Sequence, residues 1–293
     1  AYCSRKMDVN AFVRNFSFFF SNGMDPEYGV MGRVARRIWA IAMRDMYKAG
    51  ERAQKFKYHI QSSGRSLHAQ EFTYNDYRTV LQAQYAIQDA ANSLHTNSRD
   101  EAFGTPTEDT VRDAQAIQMI LNMEYGWNQC ENPLQGSFWV EHLTNMVEEQ
   151  VLQIFEEISR RGGVEGAIET DYQRNRIQQE SIEYEHKKHD GSYPIVGVNT
   201  FIDEESNDQL SVENFNMEVT RSSPEERDEI IKELKKFKKK HAKESPEAIA
   251  RLKEVALSGG NIMEELMHSV KVCSLGEITE ALFECGGKFR RNM

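Results

Sequence analysis

The sequence predicts an α/β fold, in which three strand–helix units are followed by a mostly helical region. Two observations support this prediction. In the first half of the chain, segments of strand length alternate with segments in which apolar residues recur at helical spacing. Beyond about residue 136, the helical spacing predominates. Three consecutive strand–loop–helix units imply parallel strands, because parallel neighbours need a crossover connection that is usually a helix.

The predicted strands and helices alternate along the first half of the chain. Gly50 ends the first helix, and a loop with Pro106 precedes the third. The predicted elements are a strand at residues 16–21, a helix at 29–49, a strand at 57–62, a helix at about 77–91, a strand at 93–97 and a helix around 111–121.

The faces of the predicted strands distinguish a closed barrel from an open sheet. Side chains alternate across a strand, so every second residue shares a face. One face of the second and third strands is polar and carries Lys57, His59, Gln61, Ser93, His95 and Asn97. Strands of an open doubly wound sheet are apolar on both faces, whereas a barrel can enclose a ligand against a polar interior. The pattern favours a barrel. A half-exposed antiparallel hairpin is the alternative, which the intervening helices disfavour.

The second half of the chain is predicted to be mostly helical. A long amphipathic helix covers residues 140–158 and ends at a pair of glycines. Residues 195–202 form an apolar extended segment. Ser-Pro pairs at Ser223 and Ser245 combine a capping residue with a first-turn proline, so two further helices are expected to start there.

The composition argues against two classes of partner. Lys and Arg number 36 against 46 Asp and Glu, which gives a formal net charge of −10. Because phosphate binding relies on accumulated Lys and Arg, no nucleic-acid partner is expected. The apolar runs fall short of the ~18 residues of a membrane span, so no membrane role is expected. The basic run at residues 232–243 follows several acidic residues and is interpreted as a solvated helix face rather than a binding patch.

Several common motifs are absent from the sequence. It lacks a phosphate loop, a G-x-G-x-x-G fingerprint, an H-E-x-x-H zinc motif and the D-x-H-x-x-G box that supplies a histidine to cobalt. The histidines are dispersed, so no metal site is expected. His59 and His95 are exceptions, because each shares a polar strand face with other hydrogen-bonding groups and is either a structural hub or a ligand group. The four scattered cysteines indicate reduced thiols in the cytoplasm, and the start at Ala1 suggests the end of a longer chain.

Five segments, in order, resemble motifs of the adenosylcobalamin-dependent acyl-CoA mutases. They are SFF at residues 17–19, YHIQSSGRSL at 58–67, SLHTNSRDEA at 93–102 with PT at 106–107, NPLQGSF at 132–138 and IVGVN at 195–199. The resemblance covers nearly the whole chain. More narrowly, RSLHAQE at 65–71, NPLQG at 132–136, CSLGEI at 273–278 and the final RRNM are similar to the fused isobutyryl-CoA mutases. In that subfamily, a cobalamin domain and a GTPase chaperone domain precede the substrate barrel in one chain.

The resemblance implies a fold and an activity. Residues 1–135 would be the last three βα units of a (β/α)8 TIM barrel, and residues 136–293 a helical region for dimerisation and interdomain contacts. The whole enzyme would be an isomerase that interconverts isobutyryl-CoA and n-butyryl-CoA by radical rearrangement with adenosylcobalamin, and this segment alone would be inactive. A methylmalonyl-CoA or related mutase is one alternative, and a non-catalytic helical oligomerisation module is another.

The resemblance also implies site residues. The coenzyme A side would be formed by Ser17, Arg52, Lys57, His59 and Gln61, and the cobalamin and adenosyl end by Glu101 and Ala102. Glu169 and Asn292 would lie near the nucleotide of the GTPase domain, whose GTP and Mg²⁺ belong outside this segment. Asn92 departs from the family pattern, which has glutamine at this position. Arg52 and Lys57 can neutralise CoA phosphates, although a charge at a helix carboxyl end is an alternative reading of Arg52.

Overall fold

The computed structural model describes residues 2–203 and 222–288 of the chain. The chain divides into two compact units, residues 1–220 and residues 221–293. The division that the sequence suggests after residue 135 concerns function and stays a prediction. Each unit is described here by itself.

A three-stranded parallel sheet forms the centre of the first unit. Its strands are β1 (Phe18–Asn22), β2 (Tyr58–Ser62) and β3 (Ser93–His95), in the order β1-β2-β3. The parallel pairing predicted from the intervening helices is confirmed. The register places Phe19, His59 and Ser93 side by side, because Phe19 pairs with His59 and His59 with Ser93.

The helices of the first unit alternate with the strands and then continue without them. They are α1 (Val9–Phe12), α2 (Met31–Asp45), α3 (Tyr74–Gln88), α4 (Glu108–Met119), α5 (Phe138–Arg160), α6 (Gly163–Glu169) and α7 (Tyr172–His189). A π-helical turn at Ile120–Glu124 extends α4. The predicted order of elements and the long helix after residue 136 are therefore confirmed.

Apolar side chains on one face of the sheet form the core beneath these helices. Tyr58 and Ile60 are each 1% exposed and pack with Ala86 of α3. Phe18, Phe20 and Leu94 extend this cluster on the neighbouring strands. The opposite face of the sheet carries none of this core, which leaves its side chains accessible.

Several sequence-based boundaries need correction. The first strand is Phe18–Asn22 rather than 16–21, the second starts at Tyr58 rather than residue 57, and the third ends at His95 rather than residue 97. The first helix is Met31–Asp45 rather than 29–49, so it ends before Gly50, and the second is Tyr74–Gln88 rather than about 77–91. Residues 195–202 do not form an extended segment. They fold into a tight turn in which Asn199 Oδ1 accepts from the Ile195 N–H at 2.6 Å and Asn199 Nδ2 donates to the Tyr193 carbonyl at 2.9 Å. A side chain that satisfies its own backbone in this way competes with strand formation.

A buried carboxylate fixes the start of α2. The N-cap residue of α2, Val30, has no side chain that can cap the helix. Asp89, at the end of α3, supplies the cap instead: its Oδ2 accepts from the Gly32 N–H at 2.6 Å and its Oδ1 from the Arg33 N–H at 3.0 Å. The Arg36 guanidinium lies 3.2 Å from Oδ1. This cluster joins two helices to the sheet, because the Tyr58 hydroxyl donates to the Asp89 carbonyl at 2.6 Å.

The Asp89 carboxylate should make stability depend on pH. Burial raises the pKa of Asp89 to about 6, although Arg36 and the two N–H groups act in the opposite direction. Because this pKa is higher in the folded than in the unfolded protein, protonation of Asp89 stabilises the fold. That contribution is complete below the unfolded-state pKa near 3.9 and is lost as the pH rises through 6. From pH 5 to pH 7, the free energy of unfolding of the wild type should therefore fall by about 1 kcal/mol relative to that of Asp89→Asn. Denaturant unfolding of both proteins at the two pH values checks this, and a constant difference between them would contradict it.

The second unit contains four described helices, α8 (Pro224–Lys240), α9 (Glu244–Leu257), α10 (Ile262–Ser269) and α11 (Leu275–Gly286). Leu252, Cys273 and Ile278 form its core. The predicted cap at Ser223 is confirmed, because its hydroxyl accepts from the Glu226 N–H in a capping box. The cap predicted at Ser245 is wrong. Ser245 lies buried inside α9, where its hydroxyl contacts Cys273 at 3.5 Å and Glu277 at 3.4 Å.

Candidate functional site

The open face of the sheet is where the sequence places the site. Along β2, Tyr58, Ile60 and Ser62 are buried, whereas His59 and Gln61 are only partly buried. The alternation expected for a strand therefore directs His59 and Gln61 away from the helices, as predicted. The face has two rows across the sheet: Phe19, His59 and Ser93 form the first, and Ser21, Gln61 and His95 the second.

The first row is organised around His59. Its Nδ1 lies 2.8 Å from Ser93 Oγ, and its ring stacks with the Phe19 ring at a centroid distance of 5.8 Å. Phe19 is 57% exposed, so this large apolar side chain lies on the open face rather than in the core. Sequence reasoning missed Phe19, although strand alternation within the aromatic run would have separated it from Phe18 and Phe20. An aromatic surface beside a hydrogen-bonded imidazole suits a ligand with both apolar and amide groups.

The second row includes Gln61, whose Nε2 donates to Asn97 Oδ1 at 3.1 Å. The structure corrects the placement of Asn97, which the sequence puts on the polar face of the third strand. Asn97 follows the end of β3 and is 1% exposed. Its Nδ2 donates to the Ser62 carbonyl at 2.8 Å, so the buried Asn97 side chain links the backbone of β2 to the side chain of Gln61.

Three predicted residues lie before the amino ends of the strands. Ser17 is exposed and directly precedes β1, and Lys57 is exposed and directly precedes β2. Lys57 Nζ donates to the Arg14 carbonyl at 2.5 Å. Arg52 is exposed in the turn between α2 and β2. Because α2 ends at Asp45, Arg52 is not a charge at the carboxyl end of that helix. The two predicted cationic side chains, together with the exposed Lys55, thus lie on the segment that leads into β2.

Asn92 has a structural role at this end of the sheet. Its Oδ1 accepts from the Tyr58 N–H at 2.9 Å, and its own N–H donates to the Tyr58 carbonyl at 3.1 Å. The side chain and backbone of Asn92 therefore begin the pairing between β2 and β3. This account explains Asn92 without assigning it a ligand.

Glu101 and Ala102 lie at the opposite, carboxyl end of β3. Both are exposed in the turn that follows the strand. Asp100 is buried beside them and accepts from the Thr107 N–H at 3.1 Å and from Thr110 Oγ1 at 2.7 Å. These bonds tie the turn to the start of α4. Glu101 and Ala102 are therefore presented on an anchored loop.

A cavity of about 420 Å³ opens near the carboxyl ends of β1 and β2. Its walls come from the loops after these strands, from α3 and α7, and from residues 193–196. Arg65 pairs with Glu180 at 2.6 Å and lies 4.3 Å from the centre of the Tyr184 ring. Burial and the nearby Arg78 lower the pKa of His68 to about 4, so this imidazole is neutral at pH 7. Sequence reasoning missed the cavity, because its walls come from segments more than 100 residues apart.

Of the two residues predicted near a nucleotide, the structure describes one. Glu169 is the exposed last residue of α6, and Asn292 lies outside the described residues. A second cavity of about 600 Å³ lies between α5 and α7 and is lined by Arg160, Arg161 and Arg176. Within residues 2–203 and 222–288, no group of three His, Cys, Asp or Glu side chains could hold a metal ion. No helix in this part of the chain is long and apolar enough to cross a membrane.

Comparison with known proteins shows which family the chain belongs to. The family model described as methylmalonyl-CoA mutase matches residues 1–288. The chain is 58% identical, over its whole length, to the fused isobutyryl-CoA mutase of Geobacillus kaustophilus and 56% identical to that of Paraburkholderia xenovorans. It is 32% identical, over 98% of its length, to the human mitochondrial methylmalonyl-CoA mutase. The chain covers 27%, 23% and 38% of these relatives, respectively.

The class of protein follows from these matches, since the relatives are mutases, which are isomerases. The chain belongs to the methylmalonyl-CoA mutase family. It spans about a quarter of the length of the fused isobutyryl-CoA mutases that it matches. The parallel sheet and its helices are consistent with part of a barrel in that family.

Proposed function

We propose that this chain is the acyl-CoA-binding part of an adenosylcobalamin-dependent mutase. The intact enzyme would interconvert isobutyryl-CoA and n-butyryl-CoA. The observation that carries the proposal is the open, polar face of a parallel sheet whose other face packs into the apolar core. His59 and Gln61 lie on this face with donors and acceptors available, and Phe19 adds an apolar surface. Such a face needs a ligand or further strands to cover it.

The order of residues along β2 matches the order of groups along an acyl-CoA. Cationic Arg52 and Lys57 come before the strand, where they can neutralise the phosphates of coenzyme A. His59 and Gln61 follow within the strand, where they can hydrogen-bond the amides of the pantetheine arm. At about 3.3 Å per residue, Lys57 and Gln61 are separated by roughly 13 Å along the strand. The reacting acyl end would then lie toward the carboxyl end of the sheet.

The residues at that end fit the cofactor that the proposal requires. Glu101 is an exposed carboxylate that can accept from ribose hydroxyls, and Ala102 beside it is too small to obstruct a large planar group. Adenosylcobalamin supplies the radical chemistry when it is bound. The contribution of this chain is to bind the acyl-CoA, orient it along the sheet and exclude water from it. The cobalt-ligating histidine would come from another domain.

The choice of substrate rests on the relatives. Identity to the fused isobutyryl-CoA mutases is 55–58%, against 32% to the human methylmalonyl-CoA mutase. This difference favours isobutyryl-CoA over methylmalonyl-CoA. The motif resemblance implies a cobalamin domain and a GTPase domain in the same protein, with GTP and Mg²⁺ in the latter, and the chain spans only 23–27% of the fused relatives, which leaves room for further domains. Glu169 and Asn292 would then face that nucleotide. The free cysteines of the described chain suit the cytoplasm.

A second candidate function is assembly through α5. Phe138, Trp139 and Phe155 on this helix are 96%, 58% and 51% exposed. Large apolar side chains with such exposure mark interaction surfaces. We propose that this helix contributes to a homodimer of the full enzyme, in addition to substrate binding by the sheet.

Replacement of the two cationic side chains tests the proposed substrate site. In the full-length enzyme, Arg52→Ala and Lys57→Ala should each weaken acyl-CoA binding by roughly 1–3 kcal/mol, the scale of a charge-assisted hydrogen bond. This corresponds to a rise in KM of about 5- to 150-fold. Lys187→Ala is the control, because Lys187 is an exposed lysine of α7 that pairs only with Glu183 of its own helix among the described residues. An unchanged KM in both test variants would refute the assignment.

A further inference from the structure

A series of hydrogen bonds leads from the backbone of β2 to the side chain of Gln61. It starts at the carbonyl oxygen of Ser62, which can only accept. Asn97 Nδ2 lies 2.8 Å from that oxygen, so the amide nitrogen of Asn97 is the donor. Asn97 Oδ1 is then left as an acceptor, and it lies 3.1 Å from Gln61 Nε2. The direction of each bond follows from the previous one, so the orientation of both amides is determined by the backbone.

Asn97 is held in place by further contacts. Its backbone N–H donates to Ser62 Oγ at 2.8 Å, and its carbonyl lies 3.5 Å from Thr79 Oγ1. The residue is only 1% exposed. Rotation of the Asn97 amide would place two oxygens against each other and leave a buried carbonyl without a donor, which is unfavourable. The Asn97 side chain is therefore rigid, while Gln61 itself lies on the accessible face.

This arrangement decides which atom Gln61 offers to a ligand. A free glutamine can present either its carbonyl oxygen or its amide nitrogen. Here Nε2 is engaged by Asn97, and Oε1 has no donor among the residues that the structure describes. Gln61 thus offers an acceptor on the open face, two residues along the strand from His59.

We propose that Asn97 is a positioning residue that presents Gln61 as a hydrogen-bond acceptor, so that this part of the site selects a ligand with an amide N–H. The inference rests on the proposed function, in which the ligand is an acyl-CoA. Its pantetheine arm carries two amide N–H groups, whereas the thioester and the acyl group carry none. Gln61 therefore recognises the arm of the ligand and not the acyl group that differs between substrates.

Four variants of the full-length enzyme test the role of Asn97. Gln61→Ala should raise KM for the acyl-CoA about five-fold, the effect of one lost hydrogen bond. Asn97→Ala should raise KM by a similar factor with little change in kcat. In the double variant, KM should be no higher than in Gln61→Ala alone, because Asn97 acts only through Gln61. Gln118→Ala is the matched control. It removes a side-chain amide of α4 that donates to the Leu94 carbonyl at 3.3 Å and to Thr96 Oγ1 at 3.0 Å but has no hydrogen bond to Asn97 or Gln61, so it should lower stability without changing KM.

The possible outcomes separate the inference from the proposed function. If Gln61→Ala raises KM and Asn97→Ala does not, the positioning role is overturned and the substrate site remains. If KM in the double variant rises by the product of the two single effects, the positioning role is also overturned, because Asn97 would then act independently of Gln61. If Gln61→Ala leaves KM unchanged, both the inference and the assignment of Gln61 to the substrate site are overturned.

A second measurement avoids changing Asn97 and so does not depend on the folding of that variant. Acyl-CoA analogues in which one pantetheine amide N–H at a time is replaced by an ester oxygen lack one donor each. The wild-type enzyme should bind one of the two analogues about five-fold more weakly than the parent compound, and Gln61→Ala should bind that analogue and the parent equally. If wild type and Gln61→Ala discriminate equally, Gln61 does not act as the acceptor and the inference fails.

Discussion

Gly32→Ala is expected to destabilise the first unit by about 3 kcal/mol or more. A Cβ at this position would lie 2.1 Å from Tyr58 Oη and 2.3 Å from Asp89 Oδ2. Neither group has room to move, because Tyr58 and Asp89 are each 1% exposed. A shift of Asp89 would also break the cap of α2 and leave a buried carboxylate poorly paired. The effect therefore combines overpacking with the loss of buried hydrogen bonds.

Hydrogen exchange of the full-length protein gives a local readout of this change. The amides of α2 and β2 should lose protection in Gly32→Ala, since local opening becomes more frequent. Gly276→Ala is the control: Gly276 lies in the first turn of α11, and a Cβ there meets nothing within 4 Å. This control should leave protection unchanged or slightly increased. If the α2 amides of Gly32→Ala exchange as slowly as those of the wild type, the role given to Asp89 and Tyr58 is contradicted.

Gly166→Ala is expected to displace α6, with a local destabilisation of about 3 kcal/mol. A Cβ at Gly166 would lie 1.9 Å from the Arg161 carbonyl oxygen and 3.0 Å from its carbon. These are backbone atoms at the end of α5, so no rotation of a side chain can relieve the contact. The chain already turns here through Gly162 and Gly163, whose φ angles are +92° and +82°. The helix must therefore move as a whole.

The displacement should be visible in α6 and at the start of α7. Ala167, next to the substituted glycine, is fully buried, so its burial would be lost as the helix moves. Exchange of the α6 amides should increase in Gly166→Ala. Glu165→Ala, at an exposed position of the same helix, should exchange like the wild type. If α6 is equally protected in Gly166→Ala and Glu165→Ala, the close approach of α5 and α6 is not a constraint on the fold.

Local patterns were sufficient for the main elements and for the central site residues. The alternation of polar and apolar side chains along residues 57–62 predicted that His59 and Gln61 share a face opposite Tyr58 and Ile60, and the burial pattern of β2 confirms this. The capping box at Ser223 was equally readable, because a Ser, a Pro and a Glu within four residues form it without help from the rest of the chain.

Features that depend on distant residues were not predictable in this way. Ser245 shares the Ser-Pro pair of Ser223 but has Ala248 where Ser223 has Glu226, and it is buried within α9, where its hydroxyl contacts Cys273 and Glu277 instead of capping the helix. Asn97 continues the alternation of the third strand in sequence but is drawn inward by Ser62.

The sequence by itself determined the order of the strands and helices, their parallel arrangement, and the face on which His59 and Gln61 lie. These properties depend on the period of side chains along one segment, which neighbouring residues set. Only the tertiary structure decided that Asp89 caps α2 across 57 residues, and that Asn97 orients the Gln61 amide from 36 residues away. A hydrogen bond needs two specific atoms about 3 Å apart, and periodicity within a segment carries no information about which distant residue supplies the second atom.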